Sequence, residues 1–168
     1  VEQAAPLLTD DVYAIVMYAT YWDRTSKSTA DAMLADREKY ASEEILRGVE
    51  AGLDRLLAGE PLAYVLGEWD FYGTTFKVNE NVLIPRPETE ILCEYVIDCL
   101  KGKVSPIVAD LCAGSGCIGI TIKNNVSDST VILVEKSPEA AEICRQNIAD
   151  IIGEASATLI SGDIYECE

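Results

Sequence analysis

The stretch from Val108 to Glu135 constrains this chain most. An apolar run, Pro106-Ile107-Val108-Ala109, ends on Asp110. A loop of small residues follows, Leu111-Cys112-Ala113-Gly114-Ser115-Gly116, and Cys117-Ile118-Gly119-Ile120-Thr121-Ile122 opens as a helix. A second apolar run, Val131-Ile132-Leu133-Val134, ends on Glu135. Strand, glycine loop, helix, strand and acid, in that order, make one repeat of an α/β fold. The loop between strand and helix is where such folds bring backbone close to a nucleoside ligand.

The alternation continues beyond it. Periodicity predicts strands at 106–111, 130–135 and 157–162 and helices at 116–124 and 138–150, which is a parallel, doubly wound, Rossmann-like sheet. Runs such as Val131–Val134 suit strands buried on both faces. Three parallel strands are few where the mean sheet has about five to six, so the sheet is expected to be cut short after its third strand.

Upstream, apolar residues at helical spacing predict helices over 7–23 (capped by Thr9 or Asp10), around 30–36 (opened by Ser28 or Thr29) and over 42–58 (capped by Ser42, stopped at Gly59). Arg47, Glu50 and Asp54, with Glu43 and Glu44, read as the solvated face of the last. These make a small all-helical domain, 1–60. A connector, 61–87, contains one helical turn after Pro61, a β-hairpin formed by 68–72 and 75–78 around Gly73-Thr74, and a short extended piece at Val82-Leu83-Ile84. Pro87 suits the first turn of a helix running to about Leu100, expected to bury Ile91, Leu92, Tyr95, Val96 and Cys99. The α/β domain then spans 88–168.

Composition narrows the chemistry. The net charge of −16 argues against a phosphate-neutralising surface and hence against direct nucleic-acid binding. A basic protein partner fits that field better. Six cysteines without a CxxC pair, and no histidine, predict no metal site. The cysteines are expected to be mostly small buried hydrophobes in a reducing, cytoplasmic setting. No apolar run approaches the length of a membrane span.

Gly114, Gly116 and Gly119 match G-x-G-x-x-G, a weak signal alone. A dinucleotide site sets its first glycine almost directly after the strand, whereas here Asp110 stands four residues before Gly114. That spacing suits a cofactor with no pyrophosphate. Asp110 is expected to accept a hydrogen bond from an ammonium group, and Glu135 from two ribose hydroxyls. For a lone acid at a strand end the plain alternative is a helix cap or a solvated charge. The implied cofactor is S-adenosylmethionine. Asp163, after the third strand, is the candidate partner of the adenine amino group, with Ile164 packed on the ring.

At this point the chain resembles a known family. Glu60-Pro-Leu-Ala-Tyr-Val-Leu-Gly-Glu, Phe71-Tyr-Gly, Val82-Leu-Ile-Pro-Arg-Pro-Glu-Thr-Glu90 and Asp110-Leu-Cys-Ala-Gly-Ser-Gly-Cys-Ile118 are similar to segments of the release-factor glutamine methyltransferases, the HemK/PrmC family. The resemblance implies an N-terminal helical domain that recognises the release factor, a hairpin connector and a class I methyltransferase domain. It also implies methyl transfer from S-adenosylmethionine to the side-chain amide nitrogen of the glutamine in a Gly-Gly-Gln motif. Carried over residue by residue, it assigns Cys112, Ala113, Gly114, Ser115 and Gly116 to the cofactor loop, Glu135 to the ribose, Asp163 and Ile164 to the adenine, and Pro87 and Thr89 to closure over the methionine end. Arg86 is either functional or an ion-pair partner of Glu88 or Glu90.

Two departures are small: Cys112-Ala113 where the family has Gly-Thr or Gly-Ala, and Glu135 where it has Asp. A third is large. The Asn-Pro-Pro-Tyr motif that holds the substrate amide does not occur in these residues, so no catalytic residue is assigned. The chain reads as an N-terminal fragment, inactive in transfer and prone to self-association through its unpaired sheet edge. The rival readings are an NAD-type Rossmann oxidoreductase, a relative of the adenine methyltransferases, and a non-catalytic module that docks a release factor.

Overall fold

The computed structural model describes residues 43–166. The helices expected at 7–23 and around 30–36, the cap Ser42 and Cys167 lie outside them. The described residues divide between Leu66 and Gly67 into two compact units.

In the first unit, α1 (Glu43–Leu57) is followed by the short α2 (Leu62–Leu66). Gly59, at φ +91°, takes the left-handed conformation just past the end of α1. The guanidinium of Arg55 donates to the carbonyls of Tyr64 (2.9 Å) and Val65 (3.2 Å) at the end of α2 and pairs with Glu60. A cation on the unsatisfied carbonyls of a helix end is the favourable polarity.

The second unit begins with an antiparallel hairpin, β1 (Glu68–Phe71) and β2 (Thr74–Lys77). Its turn is Tyr72-Gly73, at φ +50° and +71°, the signature of a type I′ turn. The expected turn, Gly73-Thr74, would force a β-branched residue to positive φ. Glu90 holds the turn from outside by accepting from the Tyr72 N–H at 2.8 Å.

The hairpin is a wall of the core as well as a connector. Phe71 and Phe76 are at most 1 % exposed and meet edge to face at 6.1 Å and 75°. They share one cluster with Cys93, Ile120, Val131, Leu133, Cys144 and Ile148.

The rest alternates as the periodicity predicts, with bounds within two residues: α3 (Pro87–Leu100), β3 (Ile107–Leu111), α4 (Cys117–Asn125), β4 (Thr130–Glu135), α5 (Pro138–Ile151), a 3-10 turn (Glu154–Ser156) and β5 (Thr158–Ser161). The three strands are parallel in the order β3-β4-β5, with Asp110 beside Leu133 and Glu135 beside Ser161. Asp110 and Glu135 therefore stand at the carboxyl ends of adjacent strands, where open α/β sheets carry their sites.

Two expectations, on the buried face of helix α3 and on the cysteines, are corrected. Helix α3 buries Cys93 and half-buries Val96 and Ile97, while Ile91, Leu92, Tyr95 and Cys99 are exposed. Apolar residues run around most of that helix, so its period could not select the buried side. The piece at Val82-Leu83-Ile84 pairs with no strand among the described residues, and Val82 is buried where its N–H returns to the Asn79 carbonyl. Of the described cysteines, all free, only Cys93 and Cys144 are fully buried; Cys117 is half-buried and Cys99 and Cys112 are exposed. No helix among the described residues is long and apolar enough to cross a membrane.

Candidate cofactor site

Helix α4 starts at Gly116, which has no side chain to cap it. Asp110, reaching from β3, supplies the cap: its Oδ2 accepts from the Gly119 N–H at 2.8 Å, inside the first turn. Gly119 permits this approach, because a Cβ there would stand 3.0 Å from Asp110 Oδ2 and from Leu133 Cδ2. Gly116 is fixed more tightly. It sits at φ +79°, and a Cβ would meet Cys144 Sγ at 2.8 Å and Ile120 Cδ1 at 2.9 Å. The glycines of this loop thus answer to backbone conformation and packing before any ligand is considered.

Glu135 grips the loop from the neighbouring strand. One carboxylate oxygen accepts from the Gly114 N–H and the other from the Ser137 N–H, each at 2.8 Å. The Ala113 N–H donates to the Val134 carbonyl at 3.0 Å. Ser137 caps α5 through its hydroxyl, which accepts from the Ala140 N–H. The plain structural role that a strand-end acid can have is therefore present at both positions: Asp110 caps a helix and Glu135 ties two loops together.

Those bonds leave acceptor capacity on both carboxylates, since each carries about four lone-pair sites. Neither acid forms a salt bridge among the described residues. Asp110 is only 8 % exposed, and burial pushes its carboxyl above the usual aspartate range, opposed by the Gly119 hydrogen bond and assisted by the charge of Glu135. Burial also pushes the thiols of Cys93 and Cys144 up to about 12, so both are neutral packing groups of the core cluster. Two unpaired carboxylates around one glycine loop favour a cationic ligand and disfavour a pyrophosphate.

The other expected residues take different positions. Asp163 lies beyond β5, and its two oxygens accept from Lys136 Nζ (2.7 Å) and the Tyr165 N–H (3.0 Å). The Lys136 hydrogen bond, foremost, holds its carboxyl below the usual range. Ile164 is 37 % exposed. The Gly162 N–H donates to the Glu135 carbonyl at 2.9 Å, which brings this segment to the same rim. Cys112 is exposed and Ala113 and Ser115 are buried within the loop. Pro87 and Thr89 occupy the first turn of α3, and no hydrogen bond among the described residues joins either side chain to the loop. Arg86 is exposed and pairs with neither Glu88 nor Glu90.

Sequence reasoning missed Asn147. Its side chain is 1 % exposed on α5 and bonds to both the hairpin and the glycine loop. The available signal was a polar residue in register with the apolar positions Ala140, Cys144 and Ile151 of that helix.

Comparison with known proteins adds descent to this geometry. Residues 3–67 match the profile of the PrmC N-terminal domain, and residues 88–167 that of the methyltransferase small domain. The release factor glutamine methyltransferase of Burkholderia pseudomallei is 36 % identical over 158 residues, covering 92 % of this chain and 52 % of that protein. Its counterpart in Leptospira interrogans is 48 % identical over 96 residues, covering 56 % of this chain and 34 % of its own length. The chain thus spans about half, or less, of the curated relatives it matches.

Among solved structures, P. horikoshii TYW2 in complex with MeSAdo has a TM-score of 0.50 at 19 % identity, covering 60 % of this chain and 37 % of that one. M. jannaschii TYW2 in complex with AdoMet has a TM-score of 0.50 at 20 % identity, covering 60 % and 45 %. Those likenesses concern the fold, an α/β methyltransferase sheet seen here as three strands. With the two domains matched in this order and relatives of one name on both, the chain is homologous to the release factor glutamine methyltransferases.

Proposed function

We propose that this chain carries the methyl-donor half of a release factor glutamine methyltransferase. Its loop from Asp110 to Gly116 takes S-adenosylmethionine, Glu135 accepts from the ribose hydroxyls, and Asp163 with Ile164 borders the adenine. Pro87 and Thr89 close the methionine end. The observation that carries this reading is the pair of carboxylates, Asp110 and Glu135, converging on one glycine loop with no cation paired to either among the described residues. A donor with a sulfonium and an ammonium group supplies the missing positive charge, which an NAD pyrophosphate would not.

The acceptor is the side-chain amide of a glutamine in a peptide-chain release factor, in the cytoplasm. An amide nitrogen is a weak nucleophile because its lone pair is delocalised. Transfer therefore depends on in-line placement and on hydrogen bonds to the amide rather than on a general base. The Asn-Pro-Pro-Tyr motif assigned to that task is absent from these 168 residues, so the chain by itself is expected to bind donor without transferring methyl.

Titration calorimetry with S-adenosylmethionine, S-adenosylhomocysteine and NAD in parallel tests the donor site. Heat from the first two and none from NAD is the expected result; NAD binding alone would sink the reading. Labelled methyl appearing on a release factor would overturn the expectation of inactivity.

A further inference from the structure

Asn147 lies in the third turn of α5, sealed from solvent, and every hydrogen bond of its side chain goes to backbone. Its Oδ1 accepts from the Lys77 N–H at 2.7 Å, and its Nδ2 donates to the Lys77 carbonyl at 3.0 Å and to the Ser115 carbonyl at 2.9 Å. The carboxamide therefore pairs with the edge of β2 as another peptide group would, filling the outer ladder position of the hairpin. Its second donor fixes the Ser115–Gly116 peptide of the glycine loop. Both donors are committed, so one rigid group spans segments that are 70 and 32 residues away in sequence. Only an amide suits these partners: a carboxylate has no donor for the two carbonyls, and an apolar group would leave them unsatisfied indoors.

We infer that Asn147 is a positioning residue that couples the hairpin to the cofactor loop, so that the loop holds its ligand-binding shape only while the hairpin is seated. This rests on the cofactor reading above. By linkage, ligand in the loop must in turn steady the hairpin. The coupling runs through the Ser115 carbonyl, so Asn147 acts on the donor through the loop and never touches it.

The test uses amide hydrogen exchange and calorimetry on the full chain. N147D keeps an acceptor for the Lys77 N–H and loses the donors to both the Lys77 and the Ser115 carbonyls. It should leave exchange at Lys77 slow, speed exchange across residues 113–119, and weaken S-adenosylhomocysteine binding by about tenfold or more. A purely structural residue would instead raise exchange throughout the unit, as N147L is expected to do at both segments. In the unaltered chain, S-adenosylhomocysteine should slow exchange at residues 74–78 as well as in the loop.

Loop protection without any change at 74–78 overturns the coupling, as does an N147D chain whose loop exchange and affinity match the parent. If N147D fails to fold, the measurement on the unaltered chain decides. If the unaltered chain binds no donor, the cofactor reading falls, and loop exchange in N147D still decides the role of Asn147.

Discussion

Asp110 combines two tasks that pull its proton in opposite directions. As the cap of α4 it accepts from Gly119, and as a buried acid it is held above the usual aspartate range, chiefly by desolvation. A folded-state pKa above the unfolded value means that the native chain binds the proton more tightly. The stability contribution of this group is accordingly greatest at low pH and is lost as pH rises from the unfolded value through the raised one. Donor binding should run the other way, because an ammonium needs the ionised carboxylate. Affinity for S-adenosylhomocysteine is expected to fall, as pH is lowered, at a higher pH than an ordinary aspartate would give. Asp110→Asn should flatten that limb while lowering affinity about tenfold or more; calorimetry between about pH 4.5 and 8 with an unchanged profile in the variant would assign the titration elsewhere. Both acids were legible in the sequence because a strand end before and after a glycine loop is a fixed address. Their structural use was less legible: which N–H groups they hold depends on how the loops after the strands bring the Gly114, Gly119 and Ser137 N–H groups to the carboxylates, which periodicity does not give. Cys112 shows a further limit, since its φ of +66° is a conformation that favours glycine. The family's glycine at that place hinted at it, and the chemistry of cysteine did not.

At the scale of elements, the hairpin changes meaning most. Its strands were legible from aromatic and β-branched residues flanking a glycine, and their sites on the chain were nearly right. Its role as core was not, because period-two patterning tells which residues share a face and not what that face meets. Phe76 is fully buried and packs edge to face on Phe71 within the cluster that also holds Leu133 and Ile148. Phe76→Ala is expected to cost about 3–5 kcal/mol, a large share of the roughly 5–15 kcal/mol that holds an ordinary domain. Urea unfolding followed by tryptophan fluorescence would read it, and a loss under about 1 kcal/mol would return the hairpin to the status of a linker. Helix α3 is the converse case. Its existence and start were legible from Pro87, but with apolar residues on most sides only its packing through Cys93 and Ile97 decides what is buried.

For the whole molecule, the exposed side of the sheet and the charge oppose one another. Among the described residues strand β3 pairs with β4 alone, so its other edge offers unpaired N–H and carbonyl groups. Ile107 is 75 % and Leu111 56 % exposed on that strand, and Ile160 on β5 is 37 % exposed. Parallel strands are ordinarily covered on both faces, and an apolar edge of this kind is a template for pairing. Against it stands a net charge of −16, which makes any two copies repel. The repulsion is long-ranged and screened by salt, with a Debye length of about 30 Å at 0.01 M and about 3 Å at 1 M, whereas apolar contact is not screened. The 168-residue chain is therefore expected to be least associated at low salt and to gain mass by light scattering as salt is raised. Ile107→Lys together with Leu111→Lys, which place charge on the open edge while lowering the net negative charge, should suppress that gain. If charge repulsion alone set the behaviour, the double variant would associate more than the parent, and a parent that stays monomeric throughout would remove the edge as a cause of association.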